Sequence, residues 1–356
     1  MAANQDAPTS VFVTTKASTQ TSPEENVILR ATTDAGQTTQ PTFLVTADNF
    51  VRAESDRLFA SFYPQAFGKF QHFRALASLD EQHVQRQNRD TLYSPAVFDL
   101  DAGPVTISLP DAGLRFMTLT VFNEDHYTPG SEYGSGEHVV NREKAGTRYA
   151  LVALRILVDP NDPKDVATAH ALQDAVVVHQ SSPGRLEIPD WDETSHKKVR
   201  DALTVLGSTL PDFNGAAGLP GQVDPVRHLI VTATGWGLNT AKDAVYLNVT
   251  PSRNDGTTVH TLTVPAAIPV DGFWSISLYN AEGYFQKNDL NSYTVNNLTA
   301  KKDPDGSVKV QFGGCDPRIP NCLPIMKGWN YMVRLYRPRP EILNGQWKFP
   351  DAQPAR

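Results

Sequence analysis

The stretch NEDHYTPGSEYGSGEH, residues 123–138, gathers more proton-transfer and ligand-type side chains than any other part of the chain. If the apolar strand before it continues, Glu124 and His126 lie on one face, with Asn123, Asp125 and Tyr127 opposite. Imidazole titrates nearest neutrality, so His126 is the expected general acid or base, oriented by Glu124 or Asp125. Adding Glu132 gives an alternative, a divalent-metal site of Glu124, His126 and Glu132, since carboxylate and imidazole suit zinc, iron or manganese. A solvated loop is the bland alternative, and no cofactor is predicted outside the metal reading.

A second group heads the stretch NRDTLYSPAVFDL, residues 88–100. Charged side chains are almost never buried unpaired, yet Asn88, Arg89 and Asp90 lead into a core-like strand. Arg89 beside Asp90 invites an ion pair that clamps the strand's entry. The functional reading has Arg89 offering its planar fork to a substrate carboxylate, with Tyr93 as a polar-tipped wall. On this strand Leu92, Ser94 and Ala96 face one way, and Thr91, Tyr93 and Val97 the other, with Pro95 disfavouring a central ladder position.

A third set comes from polar residues out of phase on apolar strands. AVYLNVT carries Tyr246 and Asn248 opposite Val245, Leu247 and Val249; FWSISLYN carries Ser275, Ser277 and Tyr279; YMVRLY carries Arg334 and Tyr336. A face of Tyr, Ser, Asn and Arg suits a ligand pocket or an interface better than bare solvent does. Trp236 in GWG, 235–237, is placed either to stack on a ligand or to plug a domain seam. Asn88, Arg89, Asp90, Tyr93, Trp236, Tyr246, Tyr279 and Arg334 are therefore the candidate binding residues.

The elements that must position these residues are mostly strands. VTISLP (105–110), RFMTLTVFN (115–123) and RYALVALRILV (148–158) are followed later by AVYLNVT (244–250), HTLTVP (260–265), GFWSISLYN (272–280), SVKVQF (307–312) and YMVRLY (331–336), separated by Gly, Asp and Pro turns. Helices are expected around 47–63, from Asp162-Pro163 through 180, after a Thr194 cap to Leu210, and from Asp224-Pro225 to about 234. No repeat at solenoid period is visible. The pattern gives a mainly β protein with packed helices (α+β): two β-sandwich or jelly-roll-like domains with helices between them. The expected division is an N-terminal arm over 1–40, mobile or packed on another subunit, an N-terminal β-rich domain over 41–190, and a helix-led β-sandwich domain over 191–356.

Bulk properties narrow the function. The chain has 356 residues, a net charge of −7 and no long cationic block, which argues against nucleic-acid or anionic-membrane partners. No apolar run is long enough for a bilayer helix. MAANQDAPTS has no apolar core of a signal peptide. The only cysteines, Cys315 and Cys322, share a Gly/Pro-rich loop, favouring a disulfide over two free thiols and so a periplasmic or secreted setting, with the cytoplasm as alternative. The G-x-S-x-G, H-E-x-x-H, P-loop and dinucleotide motifs are absent.

The runs VTADNFVRAESDR and NRDTLYSPAVFDLDAGPVTISLPDAGLRFMTLTVFNEDHYTPG closely resemble domain of unknown function 1254, and VDGFWSISLYNAEGYF with GWNYMVRLYRPRPEILNGQWKFP resembles its usual companion, domain of unknown function 1214. The resemblance implies paired β-rich domains and frequent secretory signals, and carries no established reaction. The expected function is a small-molecule enzyme, hydrolase-like and acting on esters or lactones, with its pocket between the two domains. The alternatives are a non-catalytic binder of an aromatic or carbohydrate-like ligand and a metal-dependent jelly-roll enzyme. The partner is a small molecule, and homo-oligomerisation is expected from the arm and the Tyr/Arg face.

Overall fold

A computed structural model describes residues 29–30, 41–82, 85–210 and 212–355. All but Leu29 and Arg30 of the arm expected over 1–40 lies outside them. Those two form β1 (Leu29–Arg30), which with β2 (Thr42–Phe43) and β10 (Asp190–Trp191) makes a small sheet.

The first domain is a two-sheet sandwich. One sheet has the order β3 (Thr91–Asp99), β8 (Tyr149–Leu157), β5 (Met117–Asn123), β6 (Gly130–Tyr133); the other runs β7 (Gly136–Val140), β4 (Val105–Leu109), β9 (Val177–His179). Their facing sides hold Leu92, Phe98, Ile107, Leu119, Leu154 and Ile156, all buried. Each such side chain contributes about 1.5–3 kcal/mol by leaving water. Pro95 fits because β3 is an edge strand, laddered to β8 on one side only, and Pro95 faces the other. On its free side the carbonyls of Tyr93, Pro95 and Val97 accept from Phe73, Gln71 and Gly68, a pattern that asks nothing of the missing proline N–H.

The second domain repeats this plan. Its sheets run β11 (Ala244–Val249), β17 (Asn330–Tyr336), β13 (Trp274–Tyr279), β14 (Thr294–Asn296), and β16 (Cys322–Leu323), β15 (Val308–Phe312), β12 (His260–Val264), β18 (Gln353–Pro354). Substituting β11 for β3, β12 for β4, β13 for β5, β14 for β6, β15 for β7, β17 for β8 and β18 for β9 reproduces the strand order of the first domain, with β16 as the addition. Both domains are open sandwiches rather than closed barrels. The correspondence extends to residues. FMTLTVFNEDHY (116–127) matches FWSISLYNAEGY (273–284), and in both the strand-ending asparagine, Asn123 or Asn280, accepts from the backbone N–H groups two and four residues on.

Helix α1 (Phe50–Ala66) packs on the first sandwich, burying Phe59 against Val97, Phe122 and Leu151. The short α2 (Arg142–Ala145) and α6 (Pro340–Leu343) close turns. Asp162 caps α3 (Pro163–Asp174) as its Asp-Pro start requires, but the helix stops six residues before 180. The valines beyond it form β9 on the edge of β4, where β-branched side chains are at home. Asp192, not Thr194, caps α4 (Glu193–Gly207) through a bond from the Ser195 N–H, and Asp224 caps α5 (Pro225–Thr234) as expected. Helices α4 and α5 pack on α1, joining Leu203, Ile230 and Ala233 to Phe50 and Ala53.

Cys315 and Cys322 form a disulfide, which points to an oxidising compartment. Among the described residues no helix is long and apolar enough to cross a membrane.

Candidate functional site

Each large sheet buries one face within its own sandwich; the other faces the sister domain, except where α1 covers Val97, Phe122 and Leu151 of the first. Across the first sheet the register aligns Tyr93, Arg155, Thr118 and Tyr133; across the second it aligns Tyr246, Arg334, Ser275 and Asn296. These rows occupy equivalent strands and equivalent positions, and they line the seam.

Contacts across the seam are exchanged reciprocally, as in an isologous interface. Asp90, just before β3, accepts from Thr294 Oγ1 and Asn296 Nδ2 on β14. Asp243, just before β11, accepts from Ser131 Oγ and Tyr133 OH on β6. Arg334 donates to the Arg86 carbonyl ahead of β3, and Arg155 donates to Asn239 Oδ1 (2.6 Å) and the Gly237 carbonyl (3.1 Å) ahead of β11. Phe116 and Phe273, themselves equivalent, meet edge to face at 5.0 Å.

The expected Arg89–Asp90 ion pair is not made, because the two side chains point into different surroundings. Arg89 bonds the Ala77 carbonyl and lies over the rings of Phe285 and Tyr293. Asn88 donates to Tyr336 OH at 2.6 Å and accepts from the Asp90 N–H. Tyr279 OH donates to the Gln87 carbonyl and receives Arg334. The seam thus unites Asn88, Asp90, Tyr93, Tyr246, Tyr279 and Arg334, with Arg89 at its edge. Arg155, Asn239, Tyr133, Asp243 and Tyr336 complete it.

Its electrostatics are unusual in one respect. Arg155 and Arg334 are 7% and 2% exposed, and neither hydrogen-bonds a carboxylate. Arg155 lies over the Tyr93 ring at 5.4 Å, and its Nε is buried without a partner within the protein. Burial works against its charge, and Tyr93, Tyr246 and Tyr336 would offset that cost only as phenolates. Burial also raises the phenols of Tyr246, Tyr279, Tyr336 and Tyr133. The tyrosines are therefore neutral hydrogen-bonding groups, not nucleophiles, at ordinary pH. Beside this network a narrow cleft of about 20 Å³, lined by Phe213, Asn214, Leu238, Asn239, Ala244 and Tyr246, reaches the seam. Asn239 joins Arg155 to the cleft by donating to Tyr246 OH at 2.7 Å.

His126, Glu124, Asp125 and Trp236 form a separate cluster under the helices. The strand ends at Asn123 and a tight turn follows, so the alternating faces expected for 123–127 do not arise; His126 sits in the left-handed region at φ 58°, where its counterpart is Gly283. The imidazole is 2% exposed, stacks on Trp236 at 4.9 Å, shares Nδ1 with Thr232 Oγ1 and receives the Gly237 N–H on Nε2. Burial, with His228 beside it, lowers its pKa to about 3. A neutral ring with both nitrogens engaged has no site left for a substrate proton. Trp236 donates to Ser55 Oγ on α1 and so plugs the helix–sheet junction.

Glu124 accepts from the Tyr149 N–H, and Asp125 pairs with Arg52 at 2.6 Å. Glu132 is out on β6, 3.9 Å from His138. Among the described residues no group of three His, Cys, Asp or Glu side chains is placed to hold a metal, so Glu124, His126 and Glu132 do not assemble as the metal reading requires. Sequence reasoning also missed Asp56, which is 1% exposed, receives Trp191 Nε1 on one oxygen and has no partner on the other. Burial raises its pKa to about 7, with Glu124 adding to the effect.

Fold and seam together define a class: a duplicated two-sandwich protein with an arginine–tyrosine face between its halves. The family described as protein of unknown function (DUF1254) matches residues 67–180, and that described as protein of unknown function (DUF1214) matches 244–340; the chain belongs to the proteins that pair these two domains. It is similar to the crystal structure of the VPA0106 protein from Vibrio parahaemolyticus, at 16% identity and a TM-score of 0.64, covering 86% of this chain and 98% of that one. An uncharacterised protein from Burkholderia cenocepacia aligns at 11% identity and a TM-score of 0.48, over 86% of each chain. No curated protein matches.

Proposed function

We propose that this chain binds a small anionic molecule, a carboxylate with an aromatic or otherwise flat body, in the seam between its two sandwiches. The observation carrying this reading is Arg155: a buried guanidinium with no bonded carboxylate and one N–H without a partner, beside a cleft that has room for about one water, so the seam must part to take the ligand in. A buried charge is costly unless paired, and a ligand carboxylate supplies the missing partner through a charge-assisted bond. Tyr93 and Tyr246 supply partly buried rings and phenol groups on either side. Binding ranks ahead of ester or lactone hydrolysis, because His126 offers no free ring nitrogen and the seam tyrosines are held protonated. The disulfide supports a periplasmic or secreted location.

The test is calorimetric titration of the full chain with benzoate-type carboxylates and their matched amides. Saturable binding of the acids, lost in Arg155→Met and partly kept in Arg155→Lys, is the expected result. Equal binding of acids and amides, or undiminished binding by a folded Arg155→Met protein, refutes it.

A further inference from the structure

Two stacked histidines under the helices hold the segments that enclose the cleft beside Arg155. His228, on α5, places Nδ1 2.9 Å from the Ala216 carbonyl and Nε2 3.0 Å from the Asp125 carbonyl. A carbonyl only accepts, so both nitrogens must donate, and an imidazole donates from both only as the imidazolium. Thr232 Oγ1 already donates to the His228 carbonyl, so it accepts from His126 Nδ1, and His126 Nε2 accepts from the Gly237 N–H. The pair is therefore one charged ring and one neutral ring, 5.3 Å apart.

The cleft lies between the loop 213–217 and the segment 238–246. His126 fixes the start of the second wall: it holds the Gly237 peptide, whose carbonyl accepts from Arg155. That task accounts for a histidine kept at φ 58°, where the sister turn has Gly283. His228 holds the first wall at Ala216.

The two bonds of His228 differ in what else supports them. The Asp125 turn is also fixed by Asn123, which gathers the N–H groups of Asp125 and Tyr127, and by the Arg52 ion pair. The Ala216 carbonyl has no second donor among the described residues, and its loop is tied on either side by the Asp224 N–H to Gly215 and the Thr128 N–H to Gly218. On losing a proton His228 keeps Nε2–H on the firmer turn. Its bare Nδ1 then faces the Ala216 oxygen, acceptor against acceptor. The groups around the ring are otherwise settled. Asp125 pairs with Arg52 of α1, Asp212 of the loop pairs with Arg227, Asp224 accepts the first N–H groups of α5, and Glu124 accepts from the Tyr149 N–H. Tyr127 stacks on the ring at 4.8 Å, and His126 stays neutral because burial, with His228 beside it, lowers its pKa to about 3. Asp56 of α1, within reach of Asp125, also changes charge near neutrality and serves as the control.

We propose that His228 is a proton-operated latch on the binding seam: the imidazolium holds residues 215–218 against the cleft, and loss of its proton lets them swing away and opens the path to Arg155. The movement is a property of the free protein; only its effect on ligand entry rests on the seam being the binding site.

The experiment uses the full chain, ¹³C/¹⁵N-labelled, across about pH 5 to pH 8. The His228 ring carbons report its charge, ¹⁵N relaxation reports the order of the loop, and stopped-flow fluorescence reports benzoate association. Order parameters at 215–218 should fall from about 0.85 to below about 0.6 at the midpoint of the His228 ring itself, while 124–127 stay rigid. Benzoate association should quicken about tenfold over the same step, the scale of one charge-assisted bond. His228→Gln, which cannot take up a proton, should show no step, and Asp56→Asn should keep it. A loop that ignores the His228 ring, a step centred on 124–127, or the wild-type step in a folded His228→Gln protein overturns the latch; if that variant does not fold, agreement of the wild-type midpoints decides. A loop that responds while benzoate never binds upholds the latch and refutes the seam as the site, and benzoate binding beside an indifferent loop does the reverse.

Discussion

The contribution of Asp56 to stability falls as pH rises, a direction opposite to that of a salt-bridged carboxylate. The side chain lies between α1 and β10 with one oxygen on Trp191 and the other unpartnered, facing Glu124 and Asp125 with Arg52 as the nearby cation. Its pKa is raised from 3.8 to about 7 in the folded chain. Between those values the folded state keeps a proton that the unfolded state has lost, so folding is favoured at low pH and penalised as pH climbs. At about 1.4 kcal/mol per pKa unit, the full penalty is on the order of 4 kcal/mol above pH 7, of which roughly 2–3 kcal/mol accrues between pH 5 and pH 8. Asp56 is fully buried, so solvent screening does not reduce this much. Glu124 is shifted the same way, chiefly by burial, and steepens the slope. The assay is urea unfolding of the wild type and Asp56→Asn at both pH values. The asparagine keeps the Trp191 bond and cannot ionise, so its loss between pH 5 and pH 8 should be smaller by about 2 kcal/mol. Parallel pH dependences in the two proteins would refute the reasoning.

Other outcomes follow from the same contacts. His126→Ala removes the acceptor of the Gly237 N–H and a packed ring, and should cost about 2–4 kcal/mol by denaturant titration. Wild-type His126 should stay neutral in ¹⁵N spectra well below pH 6.5; because its folded pKa is depressed, it contributes stability above 6.5 that is lost as pH falls from there toward 3. Asp90→Ala strips the acceptor from Thr294 and Asn296 and should destabilise by about 2–3 kcal/mol, with the two domains unfolding less cooperatively in calorimetry. Reducing Cys315–Cys322, which are seven residues apart, should lower stability by about 2–3 kcal/mol, read as a drop in Tm with reductant.

Much of the strand framework was legible because alternation and turn residues mark half-buried strands wherever they occur. The out-of-phase Tyr246, Ser275 and Arg334 marked the polar face that lines the seam for the same reason. Arg155 carried an equal signal, a lone cation within ALRIL, and lay unused because its strand is otherwise apolar on both faces. The turn at 123–127 could not be read as extended chain once Asn123 is seen to gather the N–H groups ahead of it, and the same asparagine signature in YNAEGY was the clue. Long-range partners were beyond reach: nothing near Asp90 in the chain announces β14, and nothing near Asp56 announces Trp191. The duplication itself hid in conservative exchanges, Thr for Ser, Leu for Ile and Phe for Tyr, that only strand register aligns.

The reciprocal seam has a consequence for how such a chain can come apart and recombine. A sandwich severed from its sister would expose a sheet face already complementary to its own kind, and would satisfy it by pairing with a second copy. Tethering the halves places each at an effective concentration on the order of millimolar to the other. Their mutual grip can then weaken without loss of the assembled state. That freedom lets one half carry His126 where the other has Gly283, within the frame they share.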